Sequence, residues 1–323
     1  MSLQGKNVLV TGGAGFIGSH LAERLIKEKA SVSIIKEKAS DTLSVDSFKE
    51  KLKMYDCDLK DYGSVKKVLR TAQPDIIFHL ASFTSPERDV DFSFVVKNNF
   101  FGTVNLIKAL RGKFELFINT GTCEEYGDGP VPFDEEQLPI SVSPYSLSKI
   151  ITTYYCGMLH ATYNLPVITL RPFLTYGPRQ RNSRMLIPSS ILNSLKNEPL
   201  KMTKGEQTRD FIHVNDVVEG YILTAKSKKA IGEVINIGSG KEYKIKDIVQ
   251  KIYGLVGSKA KPLIGALPYR TGETMHFYCS NKKAKKILGW SPTISLEDGL
   301  KETVDWYKEK FDSGEIKKWM GTN

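Results

Sequence analysis

Tyr145 and Lys149 stand four residues apart in Ser143-Pro144-Tyr145-Ser146-Leu147-Ser148-Lys149, which reads as the start of a helix running to about Tyr163. At that spacing a phenol and an ammonium share one helical face. A free phenol titrates near ~10, too high to exchange a proton readily at neutral pH, and a neighbouring ammonium favours the phenolate. Such a pair can pass a proton to or from a sugar hydroxyl or ketone while a nicotinamide carries the hydride. The same spacing recurs at Tyr62/Lys66 and Tyr278/Lys282. Tyr145 differs because it follows a strand, about Phe114 to Asn119, that delivers Thr120-Gly121-Thr122-Cys123-Glu124-Glu125-Tyr126-Gly127. Thr122 can hydrogen-bond the oxygen that Tyr145 serves, and Lys149 can hold a nicotinamide ribose.

Hydride chemistry needs a dinucleotide site, and Val8-Leu9-Val10-Thr11-Gly12-Gly13-Ala14-Gly15-Phe16-Ile17-Gly18 has its form. A short β-branched run reads as a buried parallel strand, and Gly12, Gly15 and Gly18 follow at the junction with a helix from about Gly15 to Lys29. The first glycine permits a sharp turn, the second lets backbone approach a pyrophosphate, and the third lets helix pack on strand. Phe16 and Ile17 open the helix, whose N–H groups face the anion. Val32 to Lys36 is a second strand. Its end meets the adenosine ribose, where Lys36 favours the 2′-phosphate of NADP(H), while Glu37 in that place would suit NAD(H).

Further strands are expected at Lys53 to Cys57 and Asp75 to Ala81, with helices at about Asp61 to Thr71 and Phe94 to Arg111. Asp58 follows its strand, where it either meets adenine or caps the next helix. Ala81 and Ser82 lie at a strand C-terminus, the ligand edge of an open α/β sheet. This alternation predicts a Rossmann-type, doubly wound parallel α/β sheet.

The totals exclude several classes. The 323 residues are 41% apolar, enough for a sizeable core, and no apolar run is long enough to cross a bilayer. With no charged-then-apolar leader before Lys6, a soluble cytoplasmic protein without membrane partners is expected. Four cysteines and five histidines fall at no metal-ligand spacing. The net charge of +10 is spread over many lysines, with no legible nucleic-acid module, so it reads as a solvated surface.

Taken in order, the motifs Thr11–Gly18, Asp58-Leu59, His79-Leu80-Ala81, Asn99-x-x-Gly102-Thr103, Thr122–Gly127 and Tyr145-x-x-x-Lys149 resemble those of extended short-chain dehydrogenases/reductases. The group is that of nucleotide-sugar epimerases, dehydratases and 4-ketoreductases. Leu170-Arg171-Pro172, Tyr176-Gly177-Pro178, Thr208-Arg209-Asp210-Phe211 and Tyr269-Arg270-Thr271-Gly272-Glu273 continue the likeness. The resemblance implies that Asp58, Leu59, Leu80, Ala81 and Asn99 line the cofactor and that Ser82, Thr122 and Cys123 face substrate. It also implies that Arg209 and Arg270 clamp a diphosphate, a role that suits guanidinium forks.

By the same resemblance, residues 1–172 with returns near 210–240 bind the dinucleotide. Residues 173–209 and 241–323 then form a smaller, mainly helical substrate domain. The Phe94–Arg111 and Tyr145–Tyr163 helices would pair two copies through a four-helix bundle.

The reaction is less sharply marked. Dehydratases of the group commonly follow the catalytic Thr with Asp-Glu; here Glu124 is kept as the base for the C5 proton, and Cys123 replaces the acid. The run Glu124-Glu125-Tyr126-Gly127 is similar to 4-ketoreductases. NADPH-dependent reduction of a nucleoside-diphosphate 4-keto-6-deoxyhexose is therefore the leading expectation. NAD-dependent 4-epimerisation, 4,6-dehydration and a non-catalytic dinucleotide sensor are the alternatives.

Overall fold

The computed structural model describes residues 2–84 and 90–320. Seven parallel strands form its central sheet: β1 (Asn7–Thr11), β2 (Ser31–Lys36), β3 (Lys53–Asp56), β4 (Ile76–His79), β5 (Leu116–Thr120), β6 (Val167–Pro172) and a seventh, Val234–Ile237. Their order is Val234–Ile237, β6, β5, β4, β1, β2, β3. The direction of winding therefore reverses between β1 and β4, the point where such sheets open a crevice.

The strands are apolar almost throughout because both faces are covered. Val8, Val10, Ile34, Ile76 and Phe78 enter one core, under α1 (Phe16–Lys27) and the helix Val214–Lys226. Leu9, Ile35, Ile77 and Phe117 enter another, with Val65 and Leu69 of Tyr62–Ala72, Leu106 and Ile107 of Gly102–Leu110, and Cys156 and Leu159 of Pro144–Tyr163. Alternation along each strand divides its side chains between the two layers. A third core joins Tyr176, Ile187, Ile191, Phe211, Ile248, Ile252, Leu300 and Tyr307, largely from the helices Leu186–Leu195, Ile245–Val256 and Leu296–Asp312.

Element types match the expectation, and boundaries differ by a few residues. The helix expected at Phe94 to Arg111 begins at Phe92 and contains a π turn at Lys97–Phe101 between two α segments. Arg111 is its left-handed C-cap, with φ 55°. Asp61, not Asp58, caps Tyr62–Ala72, its carboxylate accepting from Gly63 N.

No helix among the described residues is long and apolar enough to cross a membrane. They contain no group of three or more His, Cys, Asp and Glu side chains suited to a metal ion. All four cysteines are buried and unpaired.

Candidate active site

The glycine turn is shaped by what a Cβ would meet. Gly12 has φ +69°, and a Cβ there would stand 2.9 Å from Ala81 N. A Cβ on Gly18 would lie 2.2 Å from Gly12 O, so only glycine lets α1 close on the turn. Gly15 is the exposed N-cap of α1; it makes no side-chain cap, and the first turn holds no acidic residue. Phe16 and Ile17 are half-buried beside it. A helix start with no side-chain cap and no carboxylate in its own first turn fits the pyrophosphate of a dinucleotide.

A buried polar chain fixes this turn to the neighbouring elements. Ala81 N donates to Thr11 Oγ1 at 3.1 Å, and the Thr11 hydroxyl lies 2.7 Å from His79 Nδ1. His79 Nε2 lies 2.7 Å from Thr103 Oγ1, whose own proton goes to Asn99 O at 2.6 Å. With the Thr103 proton given to Asn99, Thr103 can only accept from His79, so the neutral ring donates at Nε2 and accepts the Thr11 proton at Nδ1. Burial lowers its pKa to about 3, so the ring is neutral.

Asn99, inside the π turn, receives Phe83 N at 2.7 Å and donates to Phe83 O at 3.1 Å and to Ser148 Oγ at 2.9 Å. It thus ties the segment after β4 to the helix that carries Tyr145. Leu80, Ala81 and Ser82 occupy that segment, all half-buried.

The helix Pro144–Tyr163 begins where expected, with Ser143 as N-cap accepting Ser146 N at 3.0 Å and Pro144 in the first turn. The Tyr145 phenol lies beside the Thr122 side chain, which favours its charged form. Lys149 Nζ stands 5.9 Å from the Tyr145 ring centroid and donates to Thr120 O at 2.9 Å. This corrects one expectation. In the chain by itself burial dominates and pushes the Tyr145 phenol up, Glu124 pushes it further, and Thr122 opposes them. Burial also lowers Lys149 to about 8, against the opposing charge of Glu125. The phenol is therefore held in its protonated, donating form.

Thr122 caps the short helical turn Cys123–Tyr126, and its N–H donates to Glu125 Oε1 at 2.9 Å. Glu125 is fully buried and paired with Arg171, whose Nε and Nη2 reach Oε2 at 3.0 and 2.8 Å. Arg171 Nη1 also donates to Tyr126 OH at 2.9 Å, which in turn donates to Asn236 Oδ1 at 2.7 Å. Sequence reasoning picked out the Thr122–Gly127 and Leu170-Arg171-Pro172 runs and missed that they meet in this buried group. Of the two acids, Glu124 is the exposed one. Cys123 is 5% exposed, its thiol pushed up by burial and then by Glu124, and it packs in the main core. It is as buried as Thr122 and Lys149, and its side chain belongs to the main core.

Lys36 is engaged by its neighbours. Its ammonium does not stand free for a phosphate: Nζ lies 2.7 Å from Asp56 Oδ1 and 3.1 Å from Ser40 O. Asp58 is exposed, accepts Lys60 N at 2.9 Å and lies 3.1 Å from Lys60 Nζ. Leu59 O receives Asn105 Nδ2 at 3.0 Å, which anchors that turn.

Arg209 pairs with Glu273 and donates to the carbonyl oxygens of Thr208 and Thr274 at 2.7 and 2.8 Å. Asp210, buried beside it, accepts Ser239 N and Gly240 N at 2.8 and 2.9 Å. Arg270 is exposed, three residues before Glu273. The two expected diphosphate ligands thus meet at Glu273, which pairs with Arg209 and whose N–H donates to Arg270 O at 3.1 Å.

Known proteins share this fold. Residues 9–303 match the family described as GDP-mannose 4,6 dehydratase. A UDP-N-acetyl-alpha-D-glucosaminuronate decarboxylase of Bacillus cytotoxicus is 34% identical, over 94% of this chain and 98% of its own length. An epimerase from Methanothermobacter thermautotrophicus superposes with a TM-score of 0.91 at 30% identity, covering 98% of this chain and 95% of that one. The UDP-glucuronic acid 4-epimerase of Bacillus cereus, solved with UDP-glucuronic acid and NAD, gives 0.85 at 32% identity, covering 94% and 99%. The chain belongs to the GDP-mannose 4,6 dehydratase family, within the extended short-chain dehydrogenase/reductase enzymes that modify nucleotide sugars.

Proposed function

We propose that the chain works at C4 of a nucleoside-diphosphate hexose, holding NAD(H) in the cleft and returning the hydride to the sugar it came from. The observation that carries this is the meeting of Tyr145, Thr122 and Lys149 at the sheet edge that also holds the uncapped start of α1. Gly12, Gly15 and the first turn of α1 would hold the cofactor, which when bound supplies hydride transfer. Tyr145 exchanges the proton of the C4 oxygen, Thr122 holds that oxygen, and Lys149 keeps a positive charge behind them. The engagement of Lys36 by Asp56 favours NAD(H) over NADP(H), as does the NAD named with the Bacillus cereus relative.

Glu124 supports a second step. Its carboxylate is exposed and close enough to Tyr145 to act on the phenol electrostatically, so it suits removal of the C5 proton once C4 is a ketone. That favours elimination across C5 and C6 over simple epimerisation, since neither epimerisation at C4 nor loss of CO2 from a 4-keto acid removes the C5 proton.

Incubation with a panel of nucleotide sugars, read by mass spectrometry while cofactor absorbance is followed, tests both. A changed sugar without net cofactor loss is expected. Stoichiometric NADPH consumption with a 4-keto sugar would establish net reduction instead, the reaction suggested by the Glu124–Gly127 run. Bound cofactor without turnover of any sugar would mean a sensor.

The assembly proposed is a homodimer. Phe94 and Phe101 on the bulged helix and Tyr154 and Met158 on Pro144–Tyr163 are large exposed apolar side chains on the two helices expected to form a bundle. Light scattering on Tyr154→Glu is expected to give monomer, and a wild-type monomer would remove the proposal.

A further inference from the structure

In dinucleotide folds the adenosine ribose meets the end of the second strand, where a carboxylate selects NAD and a cation accommodates a 2′-phosphate. Here that strand ends in Lys36, the sign that suits NADP. The neighbouring strand changes what this lysine means. β2 and β3 run parallel with Lys36 opposite Asp56. Lys36 Nζ reaches Asp56 Oδ1 at 2.7 Å, Ser40 O at 3.1 Å and Glu37 O at 3.4 Å. Three acceptors match the three protons of an ammonium. The lysine side chain is 13% exposed and the aspartate 52%, so the carboxylate is the member of the pair that faces outward.

The pair also sits where the glycine turn rests. Gly12 N donates to Ile35 O at 2.9 Å, one residue before Lys36. A Cβ on Gly13 would stand 2.5 Å from Ile34 Cγ2. The distance from the turn to the ion pair is thus fixed by strand β2 itself.

We propose that Asp56 is the specificity-determining residue for the nicotinamide cofactor: it occupies Lys36 and offers its half-exposed carboxylate to a ribose 2′-hydroxyl. A 2′-phosphate brings about 1.5–2 negative charges at neutral pH and meets that carboxylate first. NAD brings a hydroxyl, which the carboxylate accepts. Selection for NAD is therefore achieved with a lysine at the strand end, through a residue one strand away. This inference rests on the dinucleotide reading above.

The test is binding of NAD⁺ and NADP⁺ to the full chain by calorimetry, which requires no sugar substrate and no turnover. Wild type is expected to prefer NAD⁺. Asp56→Asn releases Lys36, and its NADP⁺ affinity is expected to rise about tenfold or more, because a hydrogen bond to a charged group is worth at least that factor. Lys36→Ala moves the ratio the other way, leaving Asp56 unbalanced against a phosphate. Combining the two substitutions is expected to cancel the gain seen in Asp56→Asn. Both side chains are near the sheet edge, so a melting curve checks that each variant is folded.

An NAD⁺/NADP⁺ ratio unchanged in Asp56→Asn overturns the inference, as does a shift produced by Glu37→Gln in its place. Wild-type preference for NADP⁺ also overturns it while leaving the dinucleotide site intact. Binding of neither nucleotide removes the dinucleotide reading and this inference together.

Discussion

The two regions expected to meet ligand are held together by different means. Behind Thr122 and Tyr145, groups are fixed by buried contacts: Glu125 on Arg171, and the chain from Ala81 through Thr11, His79 and Thr103 to Asn99. Around Arg209 and Arg270, strands are two residues long, Arg270 is exposed, and the Arg209 guanidinium leans on Glu273. Proton transfer requires donor and acceptor within hydrogen-bond reach, which a buried scaffold secures. Ligand discrimination benefits from groups that rearrange at little cost, and loops supply those.

The largest effect separating the two regions is expected from Tyr145→Phe. Turnover falls about 10²- to 10⁴-fold, the usual worth of general acid–base catalysis, while melting temperature and dinucleotide affinity stay near wild type. Retained turnover would erase the distinction.

Glu125→Gln comes next. It leaves the Arg171 charge buried without its partner, and about 3–5 kcal/mol of stability should be lost in a denaturant titration. A loss below about 1 kcal/mol would mean that the scaffold is as soft as the loops.

Proton linkage sharpens the comparison further. Burial lowers Lys149 to about 8, so its charge, and with it kcat/KM, is expected to decline as pH rises past that value. Lys149→Met should lose that alkaline limb along with most activity. The folded chain releases this proton before the unfolded chain does, so the penalty for burying the ammonium applies in full below about 8 and is relieved as pH rises towards the ordinary lysine value.

His79 and His20 give the acid limb. Burial holds them neutral down to about 3 and about 4, whereas the unfolded chain takes up these protons near ~6.5. Stability is then lost as pH falls from about 6.5 towards those values. His79→Gln should flatten that slope in acid denaturation.

The smallest effect is expected in the loop region. Glu273→Gln removes the charge facing Arg209 at a cost of about 1–2 kcal/mol and leaves the guanidinium readier for a diphosphate. Tighter binding of a nucleoside diphosphate is the readout; weaker binding would make Glu273 part of the site.

The sequence by itself determined the doubly wound sheet, the glycine turn and the Tyr145–Lys149 face. Those features are local: strand runs, a strand-to-helix junction and one helical turn are each set by neighbours a few residues away. It did not reveal the π turn, because that turn is stabilised through Asn99 by Phe83 and Ser148, 16 and 49 residues distant. Nor did it reveal that Glu125 is a buried scaffold residue, since its partner lies 46 residues on. Only the tertiary structure decided what the charges mean. The sequence does not reveal that β3 sets Asp56 beside Lys36, nor that Cys123 packs into the main core. A side chain's type fixes the chemistry it can perform; the groups packed against it fix its charge and solvation, and those are chosen by the fold.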